Sequence, residues 1–204
     1  MITYSIQVAE ESGCFDRIVV STDDDEIAAV ARQAGAEVPF VRPAHLADHH
    51  TGTIEVMQHA VAELTADGTA VTQVCCIYAT APFLTADTLR EGYDALLASG
   101  RSYAFGVARF DSPIQRALRI RPDGAVEPIW PENALVRSQD LEPAYFDAGQ
   151  FYWGTAAAWR AAVPIHSAAA VPVVLPSHRV QDIDTPQDWV RAEYLYAALQ
   201  QGSA

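Results

Sequence analysis

Positive charge is scarce in this chain and nowhere clustered. Thirteen basic residues stand against 26 acidic ones, a formal charge of −13 at pH 7. A phosphate-backbone binder needs grouped cationic side chains, so nucleic acid is not the expected partner. Cysteine is sparse too: Cys14, Cys75 and Cys76 are odd in number, and the adjacent pair sits in an apolar run where thiols act as small buried hydrophobes. No disulfide framework follows. No apolar run reaches the roughly 18 residues of a membrane span. Low-complexity stretches, internal repeats and linkers are also missing. Residues 1–7 have no basic start, no long apolar stretch and no small-residue cleavage site, which argues against a secretory signal. A soluble, cytoplasmic protein is the expectation.

What is present is a chain of 204 residues, half of them hydrophobic, enough for a full core in a single domain spanning residues 1–204. Residues 17–21 form a β-branched run, followed by an acidic helix start at Asp23–Glu26 and a helix that stops before Gly35. A short strand at 38–41, a helix carrying Ile54, Met57, Val61 and Leu64 on one face, and a buried strand at 73–78 come next. Thr85 caps a helix to about Ser99, and residues 103–108 read as strand. This alternation predicts an α/β fold: a Rossmann-like, mostly parallel sheet with helices on both faces. Residues 109–145 break the pattern around a Pro122-Asp123-Gly124 hairpin turn and read as an excursion. Strand character returns at 150–153 and at 179–183, and Thr185-Pro186 opens a closing helix. The chain starts in a helix, with no preceding strand and no Gly-rich turn of the kind that binds phosphates in open α/β folds.

Three segments carry candidate chemistry. In Gln181-Asp182-Ile183-Asp184, a strand would put both carboxylates on one face, a donor set suited to Mg²⁺. The bland reading is that Asp184 or Thr185 caps the last helix. Tyr78 to Phe83 follows a buried strand and precedes a helix, which reads either as an ordinary connecting loop or as a ligand contact at the sheet edge. Arg137 to Tyr145, with Asp147 to Gln150, mixes Arg, Gln, Tyr and carboxylates and suits a polyhydroxylated acid. A solvated loop has similar composition. The histidines at 45, 49, 50 and 59 match no standard zinc spacing, and Asp23–Glu26 reads first as a helix cap.

In this order, several stretches resemble the acylneuraminate cytidylyltransferase family, and within it the bacterial pseudaminic-acid branch. They are Val20 to Asp24, Arg42-Pro43 through Thr51-Gly52-Thr53, Tyr78 to Leu84, Arg137 to Leu141, Asp147 to Tyr152 and Asp182 to Pro186. The resemblance implies transfer of CMP from CTP to the anomeric hydroxyl of a nonulosonic acid, with pyrophosphate released and Mg²⁺ assisting. It implies Asp182 and Asp184 as catalytic metal ligands. Arg42, Thr51 and Thr53 would lie on the nucleotide side, and Tyr78, Thr80, Arg137, Gln139, Tyr145 and Gln150 on the sugar side. Residues 109–145 would be a homodimerisation arm reaching the neighbouring subunit's site. Nothing here matches the Gly/Arg/Lys-rich loop with which relatives begin, so weak CTP binding and low turnover are expected of the chain as it stands. Phe146 occupies a position where close relatives would carry His. The alternatives are a sialate, legionaminate or eight-carbon ulosonate enzyme, a silent homologue that still dimerises, and a generic α/β binding domain.

Overall fold

The computed structural model describes residues 1–201. Two helices come first: α1 (Ile2–Ser12) and α2 (Asp25–Gln33). Asp24 caps α2 by accepting from the Ile27 amide at 2.8 Å, so the acidic run serves the helix start. The expected strands at 17–21 and 38–41 shrink to a single parallel bridge between Val19 and Glu37. Pro39 lacks the N–H that a longer ladder would need.

Then follow α3 (Thr53–Ala66), β1 (Gln73–Ile77), α4 (Ala86–Ser99) and β2 (Tyr103–Arg109). Thr85 caps α4 through the Thr88 amide, and Gly100 closes it at φ 62°, a left-handed turn that glycine adopts without penalty. After an excursion carrying the hairpin β3 (Leu118–Ile120) and β4 (Val126–Pro128), the chain returns as β5 (Tyr145–Thr155). It finishes with α5 (Ala156–Arg160), β6 (Ala170–Leu175) and α6 (Pro186–Gln201).

The main sheet has the order β1-β5-β2-β6. β5 is antiparallel to β1 and to β2, while β6 is parallel to β2. Three strands therefore share one direction and β5 opposes them. Sequence alternation had led to the expectation of a mostly parallel sheet. The reversal arises because residues 110–144 return to the sheet without a crossover helix, and a parallel return needs one. The last strand is also displaced from its expected place. Residues 177–179 form a 3₁₀ turn and 180–185 are irregular, whereas the strand is Ala170–Leu175.

Alternation along β2 builds two cores. Ala104 and Ala108 join Leu89, Leu96, Phe151 and Trp153 beneath α4. Tyr103, Phe105 and Val107 join Met57, Val61 and Trp159 beneath α3 and α5. Helices thus cover both faces. The buried indoles satisfy their N–H groups internally: Trp153 donates to the Leu89 carbonyl at 2.9 Å and Trp159 to that of Val74 at 3.2 Å. Cys75 and Cys76 are free thiols on β1, and burial pushes the Cys76 pKa up to about 12. Among the described residues, no helix is long and apolar enough to cross a membrane.

Candidate functional site

Two cavities share one wall. A trough of about 500 Å³ runs between β1 and residues 14–21, with Ile18, Val20 and Ile77 on its apolar sides and Ser21, Arg42, Thr51 and Thr53 at its polar end. A second, more open cavity of about 490 Å³ is lined by Thr53, Tyr78, Asp147, Tyr152 and His166. Thr53 and Tyr78 belong to both, and their hydroxyls meet at 2.8 Å. Thr53 stands at the first position of α3, and Tyr78 follows directly on β1.

At the polar end of the trough, Arg42 is half-buried, and a guanidinium N–H donates to the Ser21 carbonyl. Its Nε and the Ser21 hydroxyl are buried without a partner. Unpaired buried polar groups carry a desolvation cost that a ligand or a water can offset. Thr51 is braced by Asp48 at 2.8 Å. The chain contains no lysine, so every cationic side-chain contact to an anionic ligand must come from arginine or histidine.

In the second cavity the polar groups are already linked. Tyr152 donates to both Asp147 oxygens at 3.0 Å, and the His166 ring is 2.6 Å from Oδ2. The Gly149 amide donates to Oδ1 at 2.9 Å, and the Tyr78 ring packs on Tyr152 at 5.3 Å. Burial and the Asp147 carboxylate hold the Tyr152 hydroxyl pKa far above its ordinary value. The local cause is an irregularity in β5. Its register against β2 jumps between Phe105 and Val107, and Gly149 at φ 62° supplies the bend. A side chain at 149 would also come within 3.3 Å of Asp182.

Asp182 and Asp184 lie in the irregular segment before α6, not on a strand, so strand alternation is not what relates them. They are neighbours nonetheless. Asp182 is exposed overall, but its carboxyl lies over Gly149. Partial burial and then the charge of Asp184 and Asp147 raise its pKa. Neither carboxylate has a cationic partner among the described residues. No group of three or more potential ligands gathers there among those residues. Two unpaired carboxylates still fit Mg²⁺, which takes one or two and completes its shell with water and phosphate. Thr185 is occupied otherwise: with Asp188 it forms a reciprocal cap on α6, at 2.9 and 3.3 Å.

The sugar-side candidates separate. Tyr78 faces both cavities, while Thr80 sits in the turn after β1 and lines neither. Gln150 is only 2% exposed and donates to the Arg179 carbonyl at 2.7 Å. That corrects the expectation of a sugar contact, because its amide is spent tying the 177–179 turn to β5. Arg137 is exposed and pairs with Asp140 at 2.8 Å; Gln139 and Tyr145 are exposed as well, and none of the three lines either of these two cavities. Sequence reasoning did not reach His166, and Ser21 and Tyr152 figured only inside motifs. Asp147 figured only as part of a motif. Gly149 was the signal available, since a regular strand would have put residues 147 and 152 on opposite faces.

The sheet thus carries two cavities that meet at one hydroxyl pair. The fold is Rossmann-like and is shared with solved structures of low sequence identity. A solved structure of CMP:2-keto-3-deoxy-manno-octonic acid synthetase complexed with CTP superposes with a TM-score of 0.63 at 12% identity, over 97% of this chain and 87% of that one. The family model for Cytidylyltransferase matches residues 1–144, and the chain belongs to that family. It is 40% identical over 196 residues to the pseudaminic acid cytidylyltransferase of Campylobacter jejuni, covering 96% of this chain and 84% of the relative. It is 30% identical over 210 residues to the CMP-N,N'-diacetyllegionaminic acid synthase of Legionella pneumophila, covering 96% and 84%.

Proposed function

We propose that this cytidylyltransferase transfers the cytidylyl group of CTP to the anomeric hydroxyl of pseudaminic acid and releases pyrophosphate. The observation that carries this reading is the pair of cavities joined at Thr53 and Tyr78, in a chain 40% identical to a pseudaminic acid cytidylyltransferase over nearly its whole length. The nucleotide would lie at the polar end of the trough, where Ser21 Oγ and Arg42 Nε await partners. The sugar acid would occupy the second cavity. Asp182 and Asp184 would hold Mg²⁺, which when bound supplies positive charge against the triphosphate. The hydroxyls of Thr53 and Tyr78 orient the groups that meet between the cavities, and the α3 N-terminus behind Thr53 favours negative charge there.

Residues 110–144 would dock a second copy of the chain. Leu118, Ile120 and Val126 are 60%, 79% and 59% exposed, more apolar surface than a two-stranded ribbon normally leaves in water. Docked in this way, Arg137 would meet the sugar carboxylate in the partner's site. Under this reading the enzyme works in the cytoplasm, where CTP is available.

The test is pyrophosphate release by the purified chain with CTP, Mg²⁺ and a panel of pseudaminic, legionaminic and sialic acids. Turnover highest with pseudaminic acid is the expected result. Preference for another acid reassigns the substrate, and a chain that binds neither CTP nor any of the acids removes the reading.

A further inference from the structure

His166 lines the second cavity, and neither the sequence motifs nor the proposed reaction accounts for it. It stands on a loop after α5 that the chain holds rigidly. Ala162 takes a left-handed φ of 51°, rare for a residue with a side chain, and Ile165 is buried at 8%. The Ser167 hydroxyl donates to the Pro164 carbonyl at 2.7 Å and accepts from the Ala169 amide at 3.2 Å. The ring itself is fixed from two sides: Asp147 Oδ2 lies 2.6 Å from Nε2, and Phe105 packs edge-to-face at 5.5 Å. Even so, the side chain is 68% exposed.

An exposed imidazole so firmly held has one edge left to offer. Asp147 already accepts from Tyr152 and from the Gly149 amide, as an ionised carboxylate does, and such a group only accepts. Nε2 therefore carries the hydrogen. In the neutral ring Nδ1 is left as an acceptor, and it has no partner among the described residues. Gly52, Thr53 and Tyr78 line the same cavity.

We propose that His166, oriented by Asp147, is a specificity-determining residue for the acceptor, its Nδ1 taking a hydrogen bond from an acylamino N–H or a hydroxyl of the sugar acid. The proposal rests on the functional reading above and deepens it. A fixed acceptor discriminates: a sugar acid lacking the donor leaves Nδ1 desolvated and unpaired, and such mismatches separate substrates more strongly than a change in apolar bulk.

The test separates binding from chemistry. His166→Phe keeps the contact with Phe105 and removes both ring nitrogens. It should raise KM for the sugar acid about 10- to 100-fold, the range of one lost hydrogen bond, and leave KM for CTP and kcat largely unchanged. His166→Gln should recover part of the loss. Thermal melting of both variants checks that the fold survives, as expected for an exposed side chain. In a second arm without CTP, the sugar acid is added to ¹⁵N-histidine-labelled protein, and the His166 Nδ1 resonance should move. That shift would uphold the inference even if turnover failed. An unmoved resonance overturns the inference. So does a His166→Phe variant with unchanged sugar KM, or one that loses kcat at unchanged KM with an altered pH profile, because the ring would then transfer a proton.

Discussion

The wall around Tyr78, Tyr152 and Asp147 and the ribbon between residues 110 and 144 satisfy themselves in opposite ways. Along the wall every polar group named has an internal partner, and hydrogen bonds link Tyr152 to Asp147 and Asp147 to His166 without help from another molecule. The ribbon's polar bracing lies among exposed side chains, where Arg119 and Arg121 reach Glu127 at 3.5 and 3.4 Å and Arg137 reaches Asp140 at 2.8 Å, while Leu135 is 98% exposed. The difference separates two kinds of surface. The wall is linked internally, whereas the ribbon leaves apolar side chains in water. Asp182 and Asp184 fall between, placed by the wall through Gly149 but left without a counter-charge.

The comparison breaks most readily at those carboxylates. Asp182→Ala or Asp184→Ala should lower kcat/KM by about 10²- to 10³-fold, the scale of losing an electrostatic contact to the transition state, and chelation of divalent cations should abolish turnover. Asp182→Asn should lose activity without losing thermal stability. The Asp182 pKa is raised in the folded chain, so its ionised form destabilises the fold; that penalty is present at neutral pH and fades as pH falls through the folded pKa. A marked drop in melting temperature for Asp182→Asn would make the residue structural instead.

The ribbon comes next. Leu118→Glu with Ile120→Glu should yield a folded monomer by light scattering, since both side chains are exposed within one chain. If Arg137 serves the partner's site, Arg137→Ala should raise KM for the sugar acid by roughly 10- to 100-fold, as loss of a charge-assisted hydrogen bond does. The monomer should show the same defect. A wild-type chain already monomeric at micromolar concentration would assign the ribbon another partner.

Where the sequence pattern is regular, the fold was legible. The helix from Thr85 to Gly100 has its cap, its apolar face and its terminal glycine in plain view, and β1 and β2 fall where alternation puts them. The failures have local causes. β6 is Ala170–Leu175 rather than the expected 179–183, and it carries Pro172, which reads as a strand breaker but is tolerated on an edge. The strand expected to carry Asp182 and Asp184 on one face is absent; the two carboxylates adjoin each other in a loop instead. His166 was invisible because only folding brings it to Asp147, 19 residues away, through a bend that period-two reading cannot follow.

The smallest expected effect lies outside both regions, at Arg17. Its guanidinium binds Glu37 at 2.7 Å and Asp67 at 2.9 Å, and with Thr69 it holds the Asp67 carboxyl down at about 2. A depressed carboxylate stabilises above its unfolded value, and the contribution is lost as pH falls through the folded one. Acid unfolding between about pH 4 and pH 2 should therefore be shallower in Arg17→Ala, with site kinetics unchanged. Altered KM for either substrate would tie this exposed cluster to the trough it borders.

The central claim is that two substrates meet at the hydroxyls of Thr53 and Tyr78. The most direct measurement is a crystal structure of the chain with its product, the CMP-linked sugar acid. The account predicts one continuous ligand, with the nucleoside beside Ser21 and Arg42, the phosphodiester next to Thr53 and Tyr78, and the sugar against His166. A product lying wholly within one cavity, or bound away from the Thr53–Tyr78 pair, would contradict it.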